Sequence, residues 1–326
     1  MKTAAAILQM VNKAIKDTAF ERQPKSLYEP IEYVMALGGK RIRPVLLLMA
    51  YQLYRDDLDL VMSSALGIET YHNYTLLHDD VMDKAEMRRG QPTVHHVWDE
   101  NAAILSGDTM IILAYRLISD VNERFLPRVL KLFSETALQI CEGQQLDLDF
   151  EKRMDVCEEE YIEMIRLKTS VLLACSMALG SLQADAPASD VDCLYEFGVN
   201  VGLAFQLQDD LLDVYGDPAT FGKKIGGDIV EGKKTFMLIN ALRSATPLQR
   251  AMLDRWLTTQ TASNTAAAKI AAVTTLYDEI GVRAMAEARI QYYFEQAVAC
   301  LDALALPAER KQPLRDFVLS LLGRQA

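Results

Sequence analysis

The sequence predicts an all-α fold, a helical bundle with a central cavity between two aspartate-rich helices. Three observations carry that expectation. Apolar residues recur with helical period along nearly the whole chain. No run of strands alternates with helices, so a βαβ architecture is excluded. An Asp-Asp-x-x-Asp stretch occurs twice, at 79–83 and 209–213, each time inside a long apolar segment.

From the N-terminus, the spacing predicts helices over about 3–17, 26–36, 43–56, 60–83, 93–105, 107–119, 126–147, 158–184 and 189–215. More follow over about 233–244, 247–259, 263–280, 281–305 and 308–323. Glycine and proline mark the joints, among them Gly38-Gly39, Gly90 to Pro92, Gly216 to Pro218, Gly226-Gly227 and Pro307. Several helices exceed 20 residues, which suits a bundle whose site lies between facing helices. No Pro/Gly/Ser-rich linker interrupts them, so residues 1–326 read as a single domain.

Composition narrows the function. A formal net charge of −11 argues against a nucleic-acid surface. The five cysteines are widely spaced and odd in number, which points to a reducing compartment rather than a disulfide frame. Met1 to Lys16 has no signal-peptide core. The longest apolar run, Val45 to Tyr51, is too short to span a bilayer. The chain therefore reads as soluble and cytoplasmic, with no integral membrane segment.

The two aspartate stretches carry the chemistry. On a helix, His72, Leu76, Asp79 and Asp83 share one stripe, and so do Gln206, Asp209 and Asp213. Like charges at that spacing destabilise a helix. A helix that tolerates them is expecting a cation. Carboxylate oxygens suit hard divalent ions, and Mg²⁺ favours one or two carboxylates completed by substrate phosphates. Two such helices facing each other would hold a diphosphate through Mg²⁺.

Basic groups answer these acids. Gly38 to Pro44 opens a helix, where Lys40 and Arg43 can clamp a diphosphate beside a helix N-terminus. Arg88 and Arg89 follow Asp83 in a turn and can serve two different phosphates. A glycine- and lysine-rich segment from Phe221 to Thr235, with Lys223 and Lys233, has the make-up of a lid or phosphate loop. Lys168 lies inside an apolar helix, and a buried lysine needs a partner. All four histidines fall within residues 72–96, but their spacing does not make a zinc site. His72 is expected to donate to a phosphate. His78, His95 and His96 read as structural.

In this order the motifs resemble the trans-polyprenyl diphosphate synthases, the family of farnesyl and geranylgeranyl diphosphate synthases. The matching stretches are Gly-Gly-Lys-Arg-Ile-Arg-Pro (38–44), Asp-Asp-Val-Met-Asp with Arg-Arg-Gly (79–90) and Lys-Thr (168–169). Phe-Gln-Leu-Gln-Asp-Asp-Leu-Leu-Asp (205–213) and the loop at 222–235 complete them. The resemblance implies an isoprenoid-synthase-type bundle acting as a homodimer, which joins isopentenyl diphosphate to allylic diphosphates (dimethylallyl, geranyl, farnesyl) to give farnesyl or geranylgeranyl diphosphate. It implies that Lys40, Arg43, His72 and Arg89 hold isopentenyl diphosphate. Asp79, Asp83 and Asp209 would coordinate three Mg²⁺ ions on the allylic diphosphate, with Asp80, Asp210 and Asp213 in support. Arg88, Lys168, Lys223 and Lys233 would contact that same diphosphate. Thr169 and Gln206 would face the developing cation, with Phe205 beside the substrate.

Product length is implied by the residues four and five before Asp79, which are Thr75 and Tyr74. On an ideal helix Tyr74 lies about 140° from Asp79, while Thr75 is one turn below it. Thr75 is therefore the geometric choice for the chain-pocket wall, and twenty carbons the favoured product. A longer-chain synthase, a class I terpene cyclase and a silent partner subunit are the alternatives. A cyclase ordinarily lacks the second Asp triad, and a silent subunit loses aspartates; here Asp209, Asp210 and Asp213 are all present.

Overall fold

In the computed structural model, residues 1–18, 22–217, 225–258 and 265–322 are described here. They form helices α1 (Ala4–Asp17), α2 (Lys25–Ala36), α3 (Ile42–Gln52), α4 (Met62–Met82), α5 (Val94–Val97), α6 (Glu100–Ile118), α7 (Leu126–Glu151) and α8 (Glu158–Ile165). Then follow α9 (Val171–Gln183), α10 (Ala188–Tyr215), α11 (Gly227–Glu231), α12 (Phe236–Ser244), α13 (Pro247–Thr258), α14 (Ala266–Ile280), α15 (Val282–Ala303) and α16 (Ala308–Leu322). The chain divides into two compact units. One comprises 1–136, 172–195 and 303–317, and the other 137–171, 196–302 and 318–326.

In the first unit, α3 is buried almost along its whole length, from Pro44 to Gln52. It is able to sink so deep because α9 offers it a glycine: a Cβ on Gly180 would stand 2.1 Å from the Leu47 carbonyl oxygen. The Asp99 side chain caps α6 by accepting from the Ala102 N–H at 2.7 Å. That helix buries Ala103, Ser106, Gly107, Met110, Ala114 and Ile118, a stripe of helical period. It lies on α4 at two glycines. A Cβ on Gly67 would meet Ile118 at 2.7 Å, and one on Gly107 would meet His78 at 2.2 Å.

In the second unit, α10 buries Val199, Val201, Leu203, Ala204, Leu207, Leu211, Leu212 and Val214. Buried Glu158 opens α8 and gathers Arg289 of α15 and Arg243 of α12. Gly281, with φ of 83°, turns the chain between α14 and α15.

Several element boundaries differ from the sequence expectation. Residues 93–119 make a short α5 and one long α6, not two helices meeting near Gly107, because that glycine serves a close approach rather than a break. The stretch 158–184 is interrupted at Arg166–Ser170 by a π-helical turn. The helix expected from 43 to 56 stops at Gln52, and the one expected from 233 begins at Phe236. A two-residue antiparallel ladder, β1 (Met87–Arg88) with β2 (Gln91–Pro92), was not expected. It is a tight hairpin at Arg89-Gly90, both with positive φ.

Among the described residues one helix, α6, is long and apolar enough to cross a membrane, and a third of its apolar window is buried. No disulfide joins any of the five cysteines.

Candidate active site

In the first unit the chain enters α3 through Gly38, Gly39 and Arg41, all with positive φ. Arg41 adopts a left-handed conformation that a non-glycine residue rarely takes, and it does so nearly buried. Its guanidinium donates to Glu69 at 2.5 Å and to the Met35 carbonyl at 2.7 Å. This anchor turns Lys40 out to the surface and starts α3 at Ile42, with Arg43 in its first turn.

Arg43 Nη1 lies 3.1 Å from His72 Nε2. A guanidinium only donates, so His72 accepts through Nε2 and carries its proton on Nδ1. Burial, then Arg43, Arg89, Arg88 and Arg41, hold His72 well below the usual histidine range. His72 is thus neutral and orients Arg43. The expected donation to a phosphate is left to Nδ1.

Arg89, in the β1–β2 turn, reaches back 51 residues and donates to the Gly38 carbonyl. A Cβ on Gly39 would stand 2.8 Å from its guanidinium carbon, so only glycine leaves room for it. Lys40, Arg43, His72 and Arg89 therefore all belong to the wall formed by the α3 entry and α4.

The first aspartate stretch ends α4. Its three carboxylates have unlike surroundings. Asp80 is buried and accepts from Arg88 Nε at 2.9 Å. Burial raises its pKa and Arg88 draws it back. Asp79 is half-buried, and Asp83 is exposed at the helix C-cap. Arg88, expected on a diphosphate, is held here by Asp80.

The second stretch, in the second unit, repeats the division. Asp210 is buried, accepts from Tyr161 Oη, and accepts from Gln206 Nε2 at 3.1 Å. Burial and then Asp228 push it up to about 8, against the pull of Tyr161 and Gln206. Asp213 accepts from the Asp228 N–H at 3.1 Å and so caps α11. Of the three, only Asp209 is more than slightly exposed.

The π turn explains how Lys168 and Thr169 are presented. An extra residue in the turn shifts the register of the side chains around it. The segment is clamped on two sides: a Cβ on Gly143 would lie 2.3 Å from Lys168 N, and one on Gly202 would lie 2.5 Å from Ser170 Cα. Lys168 is a quarter exposed rather than buried, and its Nζ is 2.6 Å from Asp147. Thr169 Oγ1 donates to Gln206 Oε1 at 3.2 Å, which links the π turn to α10. Phe205 and Lys233 are half-buried, the latter with its N–H on the Asp228 carbonyl. Lys223 lies outside the described residues.

Of the two chain-length residues, Thr75 donates to the His72 carbonyl at 2.8 Å, on the Asp79 side of α4. The Tyr74 ring packs between Tyr71 and His78, with centroids at 5.3 and 4.8 Å. His78 in turn sits 3.1 Å from the Ile104 carbonyl of α6. Tyr74 thus belongs to the α4–α6 seam.

Sequence reasoning missed the roles of Glu69, Asn73, Asp147 and Tyr161: Glu69 holds Arg41, and the other three bind the candidate residues Arg89, Lys168 and Asp210. Glu69 had one signal, as the only acid between residues 60 and 78 of an apolar helical stretch; the others had none. Among the described residues no three His, Cys, Asp or Glu side chains gather as a self-sufficient metal site. Within the first unit Asp79 and Asp83, and within the second Asp209, are accessible hard oxygen donors of the kind that suits a Mg²⁺ whose shell is completed by phosphate and water.

Comparison with known proteins places this geometry. A family model for polyprenyl synthetase matches residues 24–274. A short chain isoprenyl diphosphate synthase of Methanocaldococcus jannaschii is 42% identical over 239 residues, 73% of this chain and 72% of that protein. A crystal structure of a geranylgeranyl pyrophosphate synthase superposes with a TM-score of 0.95, at 40% identity and over 100% of both chains. Another, from Corynebacterium glutamicum in complex with isoprenyl diphosphate and magnesium, gives 0.84 at 27% identity, over 99% of this chain and 98% of that one. The chain belongs to the polyprenyl synthetase family and is a prenyltransferase.

Proposed function

We propose that this enzyme extends allylic diphosphates with isopentenyl diphosphate and stops at twenty carbons, as geranylgeranyl diphosphate. The observation that carries the reading is the shared division of labour in the two aspartate stretches. Asp79, Asp83 and Asp209 keep access to ligand, while Asp80, Asp210 and Asp213 are buried and hydrogen-bonded in support. The magnesium and isoprenyl diphosphate in the C. glutamicum relative support the choice of metal.

Asp79, Asp83 and Asp209 would hold Mg²⁺, and the chemistry that ion would supply is charge to offset the leaving diphosphate. Lys168, Lys223 and Lys233 add positive charge to the same group, and Arg88 joins them on release from Asp80. That charge lets the allylic C–O bond break, leaving an allylic cation and diphosphate. Lys40, Arg43 and Arg89 hold isopentenyl diphosphate, and His72 fixes Arg43. The isopentenyl double bond then attacks, a C–C bond forms, and the new cation loses a proton to the departed diphosphate. Thr169 and Gln206, tied to each other, present oxygen dipoles to the developing cation. Phe205 excludes water beside it.

Thr75 serves as the wall of the chain pocket, because it shares the Asp79 face. The homodimer reading finds support in α6, whose Ile104, Leu105 and Ile112 are exposed. The cytoplasmic reading and that of 1–326 as one functional domain belong to the same proposal.

The test offers purified protein, Mg²⁺ and labelled isopentenyl diphosphate with dimethylallyl, geranyl and farnesyl diphosphates in turn. A ladder ending at twenty carbons, abolished by EDTA and restored by Mg²⁺, is expected. A ladder ending at fifteen carbons would make Tyr74 the floor, one running past twenty would equally overturn the length assignment, and no condensation with any starter would favour a cyclase or a silent subunit.

A further inference from the structure

Glu69 is an acid in the middle of α4, 1% exposed, in a region crowded with arginine. A buried carboxylate is retained only with compensating partners. Its Oε1 accepts from Arg41 Nη1 at 2.5 Å and from Asn73 Nδ2 at 2.9 Å. Asn73 Nδ2 also donates to the Glu69 carbonyl at 2.8 Å. Both Asn73 donors are thereby committed to Glu69, which fixes the amide orientation and turns Oδ1 the other way. There Oδ1 meets Arg89 Nη1 at 3.4 Å. Arg89 is seated by that oxygen, by the Gly38 carbonyl and by the missing Cβ of Gly39. Glu69 therefore reaches both ends of the basic wall: through Arg41 it holds the turn that carries Lys40 and Arg43, and through Asn73 it aims Arg89.

We infer that Glu69 and Asn73 are positioning residues for the isopentenyl diphosphate site, preorganising its arginines before the substrate arrives. The inference rests on the function proposed above, in which Arg89, Lys40 and Arg43 hold that diphosphate. An arginine already in place loses less freedom on binding than one that must be ordered by the ligand. The two residues touch no reacting atom, so their effect falls on one substrate and not on the chemical step.

Steady-state kinetics of Asn73→Ala and Glu69→Gln test it, with thermal melts and circular dichroism to show that the variants fold. Asn73→Ala leaves the Arg41–Glu69 pair intact, so it reports on Arg89 even if Glu69→Gln is unstable. The expected result for Asn73→Ala is a KM for isopentenyl diphosphate raised roughly tenfold, with the KM for the allylic diphosphate and kcat within about twofold of wild type. In an Arg89→Ala background Asn73→Ala should add almost nothing, since it acts through that arginine. Effects that add in the double variant, or that fall equally on both substrates, would overturn the inference. A wild-type protein that neither binds isopentenyl diphosphate in calorimetry nor turns it over would instead sink the functional reading itself.

Discussion

The substitution Gly143→Ala isolates the π turn. On the wild-type backbone, the new methyl would stand 2.3 Å from Lys168 N and 2.8 Å from Leu167 C and Cβ. The nearest of these is about 1 Å short of ordinary contact. Two of the three atoms are backbone, so no side-chain rotation relieves the clash. Either α7 backs away or the turn shifts. Overpacking of this kind costs roughly 1–3 kcal/mol, a fall in Tm of roughly 2–12 °C for a unit of this size. The functional effect should be larger. Lys168 and Thr169 move with the turn, and a misplacement of about 1 Å is able to cost about 100-fold in rate. The assay is condensation of isopentenyl and farnesyl diphosphates at saturating substrate, with scanning fluorimetry alongside. Gly202→Ala, which presses on the same turn from α10, should reproduce the loss, since its methyl would meet Ser170 Cα at 2.5 Å. Full kcat in both variants, with Tm unmoved, would refute the claim that the two glycines pin the turn.

Two other changes follow from the same geometry. Thr75→Phe should cut the product ladder to fifteen carbons, while Tyr74→Phe, in the α4–α6 seam, should leave it at twenty; gas chromatography of the dephosphorylated products decides, and the opposite pattern would make Tyr74 the floor. Away from the site, Asp57 is hydrogen-bonded by Arg55 and by Tyr51 Oη, and these hold its pKa down to about 2. A carboxylate depressed in the folded state stabilises above its unfolded pKa and loses that contribution as the pH falls towards the folded value. Asp57→Asn should therefore lower Tm at pH 7, by an amount that shrinks as the pH is taken from 5 towards 2; a gap independent of pH would show that charge is not involved.

The all-α architecture was legible because helical period and motif spacing are local properties, and local properties survive in a sequence. The aspartates could be found for the same reason: three carboxylates within five residues announce themselves. Their unequal roles could not. Asp79 and Asp80 are neighbours in sequence, yet one is half-buried and the other is buried on Arg88. That difference depends on a hairpin only two residues wide, too short for alternation to reveal. Gly107 marks the limit of punctuation as a signal. The expected helices part at residue 106, just beside it, but it lies inside α6, where its missing Cβ admits His78. The same applies to Arg41 and Glu69, 28 residues apart, which no periodicity connects. What is hidden in each case is a long-range partner. Since a charged group is buried only when such a partner waits for it, an unexplained acid like Glu69 on a buried helix face is itself the signal to search for the missing cation, and here that search leads back to the basic turn.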